Sequence, residues 1–261
     1  MSAEATAFVA EELPWPPSVD DVFPPPIADG AWFTKSTLMV WFAVALIIVF
    51  FLMAYRSPKL VPDKLQWFSE SIYGFIREGV TRDVIGREGL KFAPYLTTLF
   101  CFILVTNIFG IIPLLQVSPN AHIAFPAVLA VLSYVIFNYV GVRKHGFGKY
   151  VKMNLIPDAP VAMLPLLVPI EFFSTFVLRP ITLALRLFAN MFAGHMLLLV
   201  FTIGGFVLLG ANNILVQSVS VISFAMAILI TLFEVIVAVL QAYVFAILTA
   251  SYVQGALAEE H

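Results

Sequence analysis

The sequence predicts an all-α integral membrane protein with about five transmembrane helices and one amphipathic surface helix. Three observations predict it. Apolar residues make up 61% of the 261-residue chain and charged residues only 11%, against roughly 25% charged in an ordinary soluble domain. Long stretches carry no charge at all, each long enough for one bilayer crossing or more. The basic residues that remain are gathered into a few short segments. The net charge of −2 offers no basis for nucleic-acid binding. The single cysteine, Cys101, rules out an intrachain disulfide and leaves no thiolate cluster for a metal.

Residues 1–34 form an arm outside this pattern. Glu4, Glu11, Glu12, Asp20, Asp21 and Asp29 are its only charges, and six prolines between Pro14 and Pro26 keep it extended and irregular. Without a basic n-region and an apolar run it is not a secretory signal. A solvated tail and a docking strap for a partner subunit both remain open.

Residues 35–258 read as a single polytopic membrane domain. The first helix covers about 36–55, a charge-free run about 30 Å long, with Trp32 and Trp41 suited to the interface. Residues 56–91 then carry seven Lys/Arg and five Asp/Glu. Within 63–85, Leu65, Phe68, Ile72, Phe75, Ile76 and Val80 recur at three- and four-residue spacing, while Glu70 and Arg77 face away. That periodicity predicts an amphipathic helix lying on the membrane surface. Residues 92–142 lack Asp, Glu, Lys and Arg and divide at Gln116–His122, a turn-rich stretch, giving helices at about 93–114 and 124–142. A basic loop, Arg143 to Lys152, follows.

The basic segments fix the expected orientation. They follow the first and third crossings, while the arm and the 116–123 loop contain no Lys or Arg, so the N-terminus is placed outside and residues 259–261 form a cytoplasmic tail.

The last two helices, about 160–209 and 216–256, are each too long to stand upright in a bilayer. Two crossings broken near Arg179–Pro180, or one long tilted helix bent at Pro180, both satisfy the first run. Two inclined helices in a hairpin account for both lengths.

The polar residues inside these long helices are the candidate functional groups. From Leu187 to Phe233 nothing carries a formal charge, so Arg186 borders a 47-residue apolar run. An arginine there is costly, by about 2.5 to above 10 kcal/mol depending on the scale, and it does not deprotonate. Arg179, Arg186 and Asn190 share a helix face by their spacing of seven and four; His195, nine residues beyond Arg186, points the other way. Glu234 and Gln241 align on the last helix, and Glu171 lies near the start of the preceding one. Glu and His in apolar surroundings exchange protons near neutral pH, and Asn and Gln hold water between them. Each also has a plain structural reading: polar bonding across helices for Asn190 and Gln241, a structural pair for His195 with Glu234, an ion pair for Arg186 with Glu234 or Glu171. Asn107 and His122 are the weaker candidates, read first as loop-edge or interface residues.

The run Arg186-Leu-Phe-Ala-Asn190-Met-Phe-Ala-Gly-His195 resembles subunit a of the F-type ATP synthase. So do Glu234-Val-Ile-Val-Ala-Val-Leu-Gln241-Ala-Tyr-Val-Phe and Asn107-Ile-Phe-Gly-Ile-Ile-Pro113, in the same order across about residues 35–256. The resemblance implies a stator subunit whose last two helices lie against a ring of c subunits. Arg186 would face the ring's carboxylates and act as a barrier between two aqueous half-channels. Asn190 and Gln241 would flank it, His195 and Glu234 would serve the outer half-channel, and Glu171 would lie near the cytoplasmic exit. The gap from Glu171 to Pro180 is one residue longer than the family form. The resemblance further implies b-type peripheral-stalk subunits and the rest of an F1F0 complex as partners, no catalysis by this chain alone, and H+ as the translocated ion with no cofactor and no metal. The expected location is a bacterial plasma membrane, in contact with lipid. A secondary ion-coupled transporter is the alternative, though no internal repeat of the Arg186 segment supports it. A membrane-embedded enzyme is a further rival without a nucleophile motif.

Overall fold

A computed structural model describes residues 15–17, 34–112, 118–155, 163–211 and 213–258, with the side chain of residue 154 excluded. Most of the arm, residues 113–117 and the 259–261 tail therefore lie outside the described residues. The described chain is all α-helical, and the protein is an all-α integral membrane protein. Five helical stretches are long and apolar enough to cross a bilayer: Lys35–Ala54, Arg87–Ile111, Ala124–His145, Leu164–Leu209 and Ile214–Leu257.

The elements are α1 (Lys35–Ala54), α2 (Lys64–Ile76), α3 (Ala93–Ile111), α4 (Ala124–His145), α5 (Phe147–Leu155), α6 (Leu164–Phe172), α7 (Arg179–Leu209) and α8 (Ile214–Leu257). They distribute into two compact units. The first comprises Met1–Phe42, Val105–His122 and Phe188–Leu240, the second Ala43–Leu104, Ile123–Leu187 and Gln241–His261.

In the second unit the surface segment begins with a side-chain clasp. Gln66 accepts a hydrogen bond from the Lys59 backbone N–H and donates to the Lys59 carbonyl, both at 3.1 Å. This fixes the chain entering α2. The helix continues as a π-helical stretch, Arg77–Ile85, ending at Gly86, whose φ of 92° suits only glycine well. The apolar stripe divides in two. Ile76 and Val80 are buried in the core, whereas Leu65, Phe68 and Phe75 remain exposed. A helix lying on a membrane has two apolar neighbours, protein and lipid, and the stripe serves both.

The core of this unit joins Ile76 and Val80 to Leu96, Leu99 and Ile103 of α3, Ala130 of α4, Leu183 and Leu187 of α7, and Ala242, Phe245 and Ala246 of α8. Tyr95 and Ser133 hydrogen-bond between α3 and α4 at 3.0 Å. The basic stretch expected as a loop after residue 143 departs from that reading. Gly146, with φ of 80°, stops α4, and α5 forms at once. Tyr150 of α5 packs on the bare backbone of Gly141, and its hydroxyl donates to Asn138 Oδ1 at 3.1 Å. An aromatic ring of the basic segment thus anchors it to the preceding helix, which charge alone did not suggest.

Residues Leu164–Leu209 are helical throughout. The stretch Phe173–Leu178 is π-helical, with the Arg179 N–H bonded to the Ser174 carbonyl. Pro180 follows immediately. It has no N–H to give, so a wider turn just before it absorbs the mismatch without breaking the helix. Thr175 donates to Glu171 Oε1 at 3.3 Å across one turn.

In the first unit, α7 and α8 approach closely at small residues. A Cβ on Gly205 would meet the Phe224 ring at 2.9 Å, and one on Gly204 would meet the Trp15 ring at 3.0 Å. Ser223 donates to the Phe201 carbonyl at 2.7 Å. Trp15 of the arm therefore rests on α7.

Candidate functional site

Helix α8 buries a stripe of small and polar side chains: Ser220, Ser223, Glu234, Ala238, Gln241, Ala242 and Ala246. At 3.6 residues per turn these positions fall on one side of the helix. Opposite that stripe lie the large apolar residues Ile228, Leu232, Phe233, Ile236 and Leu240, all exposed as a membrane-facing surface requires.

Within the first unit, Glu234 on this stripe lies against the backbone of Gly194. Its Cδ stands 3.1 Å and its Cγ 3.3 Å from where a Gly194 Cβ would be, and Oε1 lies closer still. The next residue, His195, presses its ring edge on Gly110 of α3, with Cε1 at 2.5 Å and Nε2 at 3.0 Å from the equivalent position. Glycine at both points leaves room for the imidazole and the carboxylate that a methyl group would take. Asn107 lies one turn before Gly110 and is fully buried. Its Oδ1 accepts a hydrogen bond from Asn120 Nδ2 at 2.7 Å, which also donates to Thr106 Oγ1 at 2.8 Å. Ser118 donates to the Thr106 carbonyl at 3.4 Å.

The polar atoms of this cluster are poorly satisfied by protein. Both carboxylate oxygens of Glu234, Asn107 Nδ2 and Asn120 Oδ1 are buried without a hydrogen-bond partner among the described residues, and the buried His195 imidazole makes no well-formed hydrogen bond, with the Met191 backbone one turn back as its polar neighbour. Buried polar groups are nearly always paired, and small polar cavities pair them through water. The arrangement suits a hydrated file of donors and acceptors.

The second unit holds Arg186, Gln241 and Glu171. Arg186 is exposed on α7 while its neighbours Leu183, Ala184 and Leu187 are buried. No carboxylate of its own unit among the described residues pairs with it. Gln241 is buried. Arg179 is placed differently, its guanidinium 5.6 Å from the centre of the Tyr252 ring. Glu171 is engaged with Thr175 one turn along. Asn190 is half-buried on α7 in the first unit. His122 is half-buried beside the turn Pro119–Ala121, and desolvation holds its pKa below the usual histidine value. Among the described residues, no three His, Cys, Asp or Glu side chains gather as a metal site.

The structure thus groups Asn107, His195 and Glu234 in one polar cluster. It also adds Asn120, Thr106 and Ser118, which the sequence reading missed. The 116–122 stretch read as a short turn-rich loop, and within it Ser118, Asn120 and Ala121 are buried. The available signal was the absence of charge from 116–122, unlike the connecting segments 56–91 and 143–158.

A family model described as "ATP synthase A chain" matches residues 37–254. The chain belongs to this ATP synthase A chain family. Among relatives named ATP synthase subunit a, one from Parafrankia sp. is 48% identical over 87% of this chain and 76% of its own length. One from Rhodococcus erythropolis is 44% identical over 98% of this chain and 95% of the relative. One from Pseudarthrobacter chlorophenolicus is 42% identical over 94% of both.

Proposed function

We propose that the chain is the proton-conducting stator subunit of an F1F0 ATP synthase, in a bacterial plasma membrane with its N-terminus outside and its C-terminus cytoplasmic. The observation that carries the reading is Arg186, a permanent cation exposed on a membrane helix without an ion pair in its own unit. Such a residue needs a partner from outside the chain. A carboxylate on a passing c-ring subunit is that partner, with b-type peripheral-stalk subunits holding the stator still against the rest of the complex.

Protons enter past His195 and Glu234, with Asn107 and Asn120 ordering the water between them, and leave past Glu171. Asn190 and Gln241 flank Arg186 and orient the exchanging groups. Arg186 separates the two half-channels. At an effective dielectric constant near 20, a second cation brought within about 4 Å is disfavoured by about 4 kcal/mol, roughly a thousandfold. A proton crossing 100 mV releases about 2.3 kcal/mol, and that energy becomes rotation only when direct leakage is slower than transfer through the ring.

The test is Arg186→Ala in the assembled complex, reconstituted in vesicles. Assembly persists and ATP synthesis driven by a proton gradient falls to background. Synthesis at the wild-type rate removes Arg186 from this role. A complex that co-purifies with no ring of small hairpin subunits favours the transporter alternative instead.

A further inference from the structure

The second unit contains a cavity of about 590 Å³ where three helix ends meet. Lys91 precedes α3, Arg143 and Lys144 occupy the last turn of α4, and Leu257 ends α8. Because α3, α4 and α8 belong to membrane-crossing stretches, their common end lies at the edge of the hydrocarbon. Three cations and one acid, Glu88, line the cavity. Lys144 donates to the Leu257 carbonyl at 2.8 Å and stands 3.9 Å from the Glu88 carboxylate. Its charge is therefore already shared with Glu88, the one acid lining the cavity among the described residues. Arg143 forms no ion pair among the described residues, and the Lys91 ammonium lies over the Phe92 ring at 5.2 Å. Among the described residues, two cations thus stand at one mouth without an ion pair.

Below them the wall is apolar. Ile136 and Tyr139 line the cavity, and the same face of α4 continues as exposed Val135, Val131 and Val128, which line a second, fully apolar groove. From Val128 to Arg143 is about 22 Å of helix. That spans one leaflet, about half of a ~30 Å hydrocarbon core, together with its head-group layer.

We propose that this face binds one anionic phospholipid, its phosphate diester held by Lys91 and Arg143 and an acyl chain running along Tyr139, Val135, Val131 and Val128. A basic pocket at the end of membrane helices suits an anionic head group. The apolar stripe decides between candidates. Neither inorganic phosphate nor an acidic peptide would follow it into the bilayer. The inference is independent of the role given to Arg186.

The experiment uses the assembled complex in mild detergent, titrated with long-chain phosphatidylglycerol and read by native mass spectrometry. A lipid with the same chains and a phosphatidylcholine head group is the control. One phosphatidylglycerol per copy of this chain is retained. Arg143→Ala and Lys91→Ala each weaken it by about fivefold, and together by about 25-fold, while Arg143→Lys keeps most of the affinity. Shortening the acyl chains to six carbons weakens binding by more than about tenfold. Lys144 is left intact because it holds the end of α8. Equal affinity in the double variant overturns the proposal. So does displacement by millimolar inorganic phosphate, equal retention of phosphatidylcholine, or a protein segment cross-linked into the cavity in place of lipid.

Discussion

Replacing Gly194 with alanine tests whether the placement of the Glu234 carboxylate matters. The new methyl group would lie 3.1 Å from Glu234 Cδ and 3.3 Å from Cγ, with Oε1 closer than contact allows. The helix backbone at Gly194 belongs to a long α-helix and resists shifting, whereas the carboxylate is the free end of a flexible side chain. The carboxylate therefore moves, by roughly one ångström. Overpacking of this kind costs about 1–3 kcal/mol, and alanine returns nearly 1 kcal/mol of helix propensity over glycine. The net stability change is about 0–2 kcal/mol, so the subunit still inserts and assembles. Proton transfer is less forgiving, because it requires heavy atoms about 2.6–3.2 Å apart, directly or through one water. An ångström of displacement slows such a step by about 100-fold. ATP-driven acidification of vesicles, normalised to the amount of assembled complex, reads the loss. Adding Glu234→Asp shortens the side chain by one methylene and withdraws the carboxylate from the new methyl, restoring about tenfold of the lost rate. Wild-type pumping by Gly194→Ala, or no recovery in the double variant, would refute the assignment of the Glu234 carboxylate at this position to the proton path.

His195→Ala slows proton uptake by at least about 100-fold while leaving passive proton leak through the vesicle membrane unchanged. Leak that rises as pumping falls shows instead that the imidazole blocks protons. Asn120→Ala removes the donor to both Asn107 and Thr106 and lowers the stability of the complex by about 2–3 kcal/mol, read as an earlier thermal transition; an unchanged transition means the pair is not under tension from burial. Glu78 is held below the usual carboxylate range by its hydrogen bond from Arg82, helped by the charges of Arg82 and Arg77. A depressed carboxylate contributes stability above its unfolded pKa of about 4.3, lost as pH falls through the lower folded value. Amide-exchange protection of Arg77–Ile85 is therefore constant near neutrality and falls only below about pH 4, whereas Glu78→Gln removes that pH dependence.

The class of the fold was legible because it depends on sums. Charge-free runs and clustered basic residues survive any detail of side-chain placement, and all five membrane-crossing stretches lie where those runs are. The long helix through Pro180 was only half legible. Sequence supplied the proline, but the π-helical turn at Phe173–Leu178 depends on which of two hydrogen-bond registers neighbouring turns permit, and no residue type announces that choice. The polar cluster was visible in the sequence at His195 and Glu234, where a polar side chain stands alone in an apolar run, whereas Asn107, read first as a loop-edge or interface residue, is fully buried within α3. It was not legible at Asn120, because a Ser-Pro-Asn stretch has the same composition in an exposed turn and in a buried one. What distinguishes them is the hydrogen bond to Asn107, a contact between residues thirteen apart. Similarly, the basic stretch after Gly146 became a helix through the packing of Tyr150 on Gly141, which charge counting does not register.

The two sets of polar residues meet different physical conditions, and those conditions separate their tasks. In the first unit the carboxylate, the imidazole and one atom of each asparagine are buried and lack a well-formed hydrogen bond among the described residues. Leaving a buried donor or acceptor unmet costs about 1–3 kcal/mol each, so a purely structural cluster of this size gains by becoming apolar or fully paired. It persists at a net benefit only where its unmet valences are used, and water and protons are the ligands small enough to use them. Arg186 meets the opposite condition. It is exposed rather than buried, and its charge cannot be neutralised by giving up a proton, so it gains nothing from such a water file and serves poorly as a relay. Its energetic need is for a mobile anion that arrives and departs. On the proposed reading, a chain that carries both needs, one for exchangeable protons and one for a transient carboxylate, works only against a second body that brings the carboxylates past.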